Sequence, residues 1–255
     1  MNVSAYLNRI KYNKEVEIDK PTLFGLQRAH LLSVPFENLD IHYKNKIVLD
    51  MDIIFEKIVN RKRGGFCYEL NSLFYTLLKE IGFNVKIISA RVYSEKEQYG
   101  KVNDHMAILA NIGTEQFLVD VGFGKFSLQP LPLKFNKTLV DDYGKFVFDN
   151  YDKDYLRVSE QKNNVLTPQY IFSTKQHKLS EFKDMCDYHQ TSSESHFTQK
   201  KVISISTEIG RVTLNNSKVK ITKGSKTKEI EFNEDQFETY LKKYFDIIVK
   251  IEEPK

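Results

Sequence analysis

Apolar positions in the first third of the chain recur at helical spacing. Leu23, Leu26, His30 and Leu31 follow Asp19 and Pro21, a pair suited to a helix start, and Val34-Pro35 closes the segment. Asp50 is placed to cap a second helix carrying Ile53, Ile54, Ile58 and Val59. A third helix is expected from about Cys67 to Ile81. Leu70, Leu73, Phe74, Leu77, Leu78 and Ile81 form one apolar stripe, and Gly82 stands where a left-handed cap belongs.

The pattern then changes to that of strands. Residues 85–88, 90–93, 106–112 and 117–121 read as β, the last two split by Gly113-Thr114. Weaker strands are expected at 146–148 and 165–172, and a short helix at 180–189. Further strands follow at 202–206, 211–214 and 219–222, then a helix at 234–244 and a last strand at 247–251. The loop at 128–133 and the polar run at 149–154 are the expected joints. The outline is a helical lobe, a β-rich lobe and a small α/β end piece.

Composition removes several function classes. The 255 residues have ordinary globular composition, long enough for a sizeable core. No apolar run approaches the roughly 18 residues of a membrane span, and the first residues lack the apolar core of a secretory signal. With 38 basic and 34 acidic residues, net charge is +4, too even to point to nucleic acid. Cys67 and Cys186 cannot make a disulfide framework, which fits a reducing, cytoplasmic setting, and they exclude an all-cysteine zinc site.

Chemistry concentrates at Arg63-Gly64-Gly65-Phe66-Cys67-Tyr68-Glu69-Leu70-Asn71. Two glycines deliver the chain into a helix whose first turn holds a cysteine. Free N–H groups and the positive dipole end favour a thiolate, the reactive form. Cys186 has no such setting and reads as a core residue.

A nucleophilic cysteine needs a base and the base an orienting group. A two-residue Gly113-Thr114 turn pairs Ile112 with Glu115, Ile108 with Val119 and Ala107 with Asp120. His105 and Asp120 then become diagonal neighbours on one face, within reach of a hydrogen bond. That face otherwise holds Ala107, Leu109 and Leu118, where a lone carboxylate is costly. Asp104 is the other acid near His105, but neighbouring strand residues point to opposite faces. His30 reads as a core histidine, and His42, His177 and His189 have no comparable setting. The residues alone imply a cysteine acyl-transfer enzyme, hydrolase or transferase.

Five segments together resemble the motifs of the arylamine N-acetyltransferase family. They are Leu26-Gln27-Arg28-Ala29-His30 with Val34-Pro35-Phe36-Glu37-Asn38-Leu39, the cysteine segment, Asn103-Asp104-His105-Met106, Val119-Asp120-Val121-Gly122-Phe123-Gly124, and Ser195-His196-Phe197-Thr198. They occur in order over roughly residues 1–215. One departure is Ser192-Ser193-Glu194-Ser195, where the family often has a proline before the last serine.

The resemblance implies an α+β fold with an N-terminal helical bundle, a central β-barrel and a C-terminal α/β lid, its triad arranged as in cysteine proteases. The expected divisions are 1–83 with the cysteine, 84–190 with the histidine and aspartate, and 191–255 as lid. It implies catalysis by Cys67, His105 and Asp120, through a thiolate–imidazolium pair and an acetyl-Cys67 thioester. Acetyl-CoA is the implied co-substrate, with no metal and no prosthetic group. The implied acceptor is an arylamine, arylhydrazine or N-hydroxyarylamine, and neither nucleic acid nor membrane is a partner. Tyr68, Val92, Phe123, Gly124 and Phe197 would contact CoA, and Phe36, Phe123 and Phe197 would line the acceptor pocket. Gly122 and Gly124 would let the chain pass close to the cysteine. The competing reading is a cysteine hydrolase or transglutaminase-like acyltransferase on the same triad.

Overall fold

The computed structural model describes residues 1–96 and 98–249. The chain opens with α1 (Val3–Arg9), which the apolar pattern did not signal. Its N-cap Asn2 accepts the Ala5 N–H, and Tyr6 is the residue it buries. In α2 (Lys20–Ser33) the Asp19 side chain accepts the Thr22 N–H at 2.8 Å, and the helix stops just before Val34-Pro35. The short strand β1 (Phe36–Glu37) and one turn of helix, α3 (Leu39–His42), lead to α4 (Met51–Phe55). Asp50 caps α4, which continues as a π turn over Glu56–Asn60. The long helix α5 (Cys67–Ile81) ends at Gly82, whose φ of 108° is open to glycine alone at little cost.

Then come β2 (Asn84–Ser94), β3 (Gln98–Tyr99), β4 (His105–Ile112), β5 (Glu115–Val119), β6 (Leu131–Pro132), β7 (Leu139–Asp141), β8 (Gly144–Asn150), β9 (Leu156–Lys162) and β10 (Val165–Phe172). Eight of these run antiparallel in the order β6-β5-β4-β2-β10-β9-β8-β7, curled into a nearly closed barrel. The interior holds Ala107, Leu109, Leu118, Phe146, Phe148 and Phe172, all buried. On the other face of β4, Ile108 and Ala110 join Leu70, Leu73, Phe74 and Leu77 of α5. Strand alternation thus gives β4 two partners, the barrel interior and the helix. The β4–β5 register has Ile112 opposite Glu115 and Ile108 opposite Val119, as the two-residue turn required.

The last part contains α6 (Lys183–Thr191), α7 (His196–Gln199), β11 (Val202–Thr207), β12 (Gly210–Asn215), β13 (Lys218–Lys223), β14 (Lys226–Glu231) and α8 (Phe237–Phe245). Strands β11 to β14 form an antiparallel sheet covered by α8 through Ile203, Leu214, Val219, Phe237 and Leu241. The sheet is completed by β1 from the first third, with Phe36 opposite Ser204. Residues 247–249 are not a strand, and 250–251 of the expected last strand lie outside the described residues. Strands β9 and β14 were not expected, because their outward faces carry charges that mask alternation. Among the described residues no helix is long and apolar enough to cross a membrane.

His30 is fully buried and hydrogen-bonds the Tyr6 hydroxyl through Nδ1 at 2.7 Å. Burial, aided by Arg9, lowers its pKa from 6.5 to about 3. Between those values the unfolded chain takes a proton that the folded chain refuses, so stability falls with pH across that window and is level above it. Urea midpoints at about pH 7.5 and 5 should show wild type losing about 2 kcal/mol more than His30→Phe. Equal losses would refute the assignment.

Candidate active site

Cys67 opens α5 and is 3% exposed, at the edge of a cavity of about 270 Å³. The turn before it is held by its own side chains. Glu69, three residues into the helix, accepts the Phe66 N–H at 3.2 Å, the return half of a capping box. Gly65 O accepts the Glu37 N–H at 2.8 Å, and Gly64 N–H donates to Glu37 Oε1 at 2.8 Å. A side chain on Gly64 would meet the Pro35 carbonyl oxygen at 2.0 Å.

Beneath this turn lies a buried charge cluster. Arg63 grips Glu37 with two bonds of 2.8 and 2.7 Å and reaches Asp40 at 3.0 Å. Lys57 Nζ lies 2.7 Å from Asp40 and 2.8 Å from Glu69. Burial opposes the Lys57 charge, but Glu69, Asp40 and Glu37 outweigh it and raise the pKa. Burial likewise opposes ionised Asp40, yet Lys57 and Arg63 bring its pKa to about 2. Arg63 and Glu69 therefore act on the cysteine turn from behind it, outside the cavity.

His105 begins β4 and Asp120 directly follows β5, and the hairpin brings them to a bond of 2.7 Å from His105 Nε2 to Asp120 Oδ2. Both side chains are buried. Asp120 also accepts the Tyr170 hydroxyl on Oδ2 at 3.0 Å. Its Oδ1 accepts Asn71 Nδ2 and the Gly122 N–H, each at 2.9 Å. Burial alone would raise the Asp120 carboxyl. His105, Asn71 and Gly122 reverse that and lower it, so the site holds a carboxylate. With Nε2 committed to Asp120, Nδ1 is the ring nitrogen left to take a proton. Gly122 is required here by contact, since a Cβ would lie 2.8 Å from the Cys67 Cα.

Cys67, His105, Phe36, Val92, Phe123 and Phe197 line one cavity. Tyr68 and Gly124 do not. Tyr68 is buried behind the wall, its hydroxyl 2.7 Å from the Asn103 carbonyl oxygen and its ring stacked on His189. Gly124 lines an adjoining groove of about 640 Å³, which shares Phe36 and Val202 with the cavity. Asp104, His189 and His196 also line the cavity. His189, expected to have no special setting, is correctly placed by the stripe of Phe182, Cys186 and His189, which buries one face of the 3₁₀ turn and α6.

The thiol has two opposing influences. The helix N-terminus favours thiolate. Burial first, then the charges of Asp104, Cys186 and Asp120, push its pKa well above ordinary, against a hydrogen bond from the Met106 backbone. Losing the Cys67 proton therefore needs an acceptor beside it in the same cavity.

Residues 19–253 match the N-acetyltransferase family model. The chain belongs to the arylamine N-acetyltransferase family. It is 31% identical over 230 residues to arylamine N-acetyltransferase 1 of Bos taurus, covering 82% of this chain and 79% of that one. The fold matches the arylamine N-acetyltransferase of Mycobacterium smegmatis at TM-score 0.88 and 26% identity, over 96% of this chain and 92% of that one. The Mycobacterium marinum enzyme solved with CoA matches at TM-score 0.88 and 24% identity, over 96% and 93%. The family thus has its helical, barrel and lid parts in this chain, as the resemblance implied.

Lys57 can be removed without touching the cavity. Lys57→Met leaves Asp40 and Glu69 buried with less compensating charge and should cost about 3–5 kcal/mol in chemical denaturation. A loss below about 1 kcal/mol would show that the cluster adds little to the stability of the cysteine turn.

Proposed function

We propose that this chain transfers acetyl from acetyl-CoA to an aromatic amine or hydrazine, with Cys67 as nucleophile, His105 as base and Asp120 as its partner. The observation that carries this reading is the buried 2.7 Å His105–Asp120 bond sharing one cavity with a cysteine at a helix tip, in a chain of this family.

The proton and the acyl group follow from that geometry. As Cys67 Sγ attacks the thioester carbonyl, its proton passes to His105, and Asp120 balances the imidazolium. The tetrahedral oxyanion meets backbone N–H groups at the start of α5, those of Cys67 or Tyr68. Collapse breaks the carbon–sulfur bond to CoA, the CoA sulfur takes the proton from His105, and acetyl-Cys67 remains. The amine then attacks acetyl-Cys67, His105 takes an amine proton, and the Cys67 sulfur leaves and regains a proton. Thioester is exchanged for thioester and then for amide, so no metal or nucleotide hydrolysis is called for.

The two openings suit the two parts of the donor. The cavity is small and largely apolar, matched to a thioester end and an aryl ring. The adjoining groove is lined by Lys125, Lys162, Lys220 and Arg211 against Asp142 and Glu160, a net positive surface suited to phosphates, and the related Mycobacterium marinum enzyme was solved with CoA. Phe36, Phe123 and Phe197 serve as the aromatic wall for the acceptor, and Val92 and Gly124 flank the donor's path. Tyr68 acts from behind, by fixing the backbone at Asn103 and Asp104. A peptide hydrolase would need a groove open to polypeptide at the cysteine, where the cavity measures about 270 Å³.

Intact mass after mixing with acetyl-CoA alone should show one acetyl adduct, absent in Cys67→Ala. Aniline or an arylhydrazine should discharge it. No adduct on a Cys67 that still alkylates would sink acetyl-CoA as donor.

A further inference from the structure

The cavity around Cys67 contains a second acid–histidine pair that the transfer steps do not use. Asp104 and His189 both line it. Asp104 Oδ1 stands 3.3 Å from His189 Nε2, and Oδ2 accepts the Val92 N–H at 3.2 Å. His189 Nε2 also lies 3.3 Å from the Asp104 carbonyl oxygen, and Nδ1 is 3.2 Å from the Ser195 hydroxyl. The ring stacks on Tyr68 and meets Phe197 edge-on at 5.1 Å. Both nitrogens of His189 are thus occupied by protein groups. It is a clamp on Asp104 rather than a base for substrate.

One acid on this wall keeps open surface. Asp104 retains 17% side-chain exposure, whereas Asp120 has none. His196, on the same wall, has its pKa lowered, chiefly by burial. Asp104 and Cys67 line the same cavity of about 270 Å³, so an acceptor at Cys67 shares that cavity with the Asp104 carboxylate.

We propose that Asp104, clamped by His189, sets acceptor selectivity: it excludes aromatic amines bearing an anionic substituent and admits neutral or cationic ones. The inference rests on the acetyl-transfer reading above. The thioester end of the donor is neutral, so selection falls on the second half of the cycle. Like charges in a desolvated cavity repel strongly enough to cost an anionic acceptor about tenfold or more.

The test compares para-aminobenzoate with para-aminobenzamide, near-isosteres that differ in charge, as acceptors from the preformed acetyl-enzyme. A carboxylate withdraws less electron density than an amide, so in solution the benzoate amine is the better nucleophile. Wild type should nevertheless discharge to the benzamide about tenfold faster or more, and Asp104→Asn should restore the solution order. Equal or faster wild-type discharge to the benzoate overturns the proposal without any variant. So does an unchanged ratio in folded Asp104→Asn. If no acetyl-enzyme forms, the function has failed and the charge selection is read another way. Cys67 should then alkylate with neutral iodoacetamide over anionic iodoacetate by about tenfold more than a free thiol does, and Asp104→Asn should narrow that gap. A wild-type preference equal to that of a free thiol overturns the proposal.

Discussion

A carboxylate with no exposed side-chain surface must be met by donors from all sides, and the way Asp120 is met organises the molecule. Its four donors come from separate pieces of chain: His105 at the start of β4, Asn71 in the second turn of α5, Tyr170 in β10 and the backbone of Gly122. Asn71 also donates to the Met106 carbonyl at 2.6 Å and accepts the Val121 N–H at 2.9 Å. One amide side chain thus fastens the cysteine helix to both sides of the hairpin that carries His105. The helix and barrel cannot shift relative to each other without unsatisfying a buried charge. Cys67 and His105, on different elements, are held in one cavity by this shared third residue.

A second buried electrostatic unit works on the other side of the cysteine. The cluster of Glu37, Asp40, Lys57, Arg63 and Glu69 joins the turn before α5 to β1, α3 and the π turn. Since β1 also pairs with β11, the cluster reaches the lid sheet through backbone bonds. Such clusters are costly to bury and weak as net stabilisers, but removing one member is severe. Their value is positional. Two glycines leave the chain free to choose many paths into α5, and bonds from Glu37 and Glu69 to the backbone at 64 and 66 select one.

Much of this was legible in the sequence, and the unread parts have physical reasons. The stripe of α5 and its caps gave the helix almost to the residue. Turn parity at Gly113-Thr114 gave the register that joins His105 to Asp120, because side-chain period two leaves no freedom once the turn length is known. Four-donor satisfaction of Asp120 was beyond reach, since Asn71 and Tyr170 are 49 and 50 residues away and carry no periodic signal. The charge cluster was legible only in part: Arg63 and Glu69 fall in the cysteine segment, where a buttressing role can be read. Sequence shows Glu37, Asp40 and Lys57 as ordinary charges, and only tertiary packing makes them buried. His189 was set aside because α6 is largely polar, yet three inward positions suffice to aim an imidazole at the cavity.

The thiol shows how local and tertiary influences divide. A cysteine at a helix N-terminus reads as acidified, and that reading concerns about one turn of backbone. The surroundings oppose it, because desolvation grows with every atom packed around the sulfur, and Asp104 and Asp120 add negative charge. A free-standing thiolate here would be reactive toward any electrophile that entered. Burial opposes a lone thiolate, so a proton acceptor has to share the cavity with the sulfur, and His105 with its Asp120 partner does. The burial that raises the thiol's pKa also strengthens the attraction within the ion pair once the proton moves. A chain that receives an acyl group and must keep it from water until an amine arrives is served by both effects, since the same enclosure excludes the competing nucleophile.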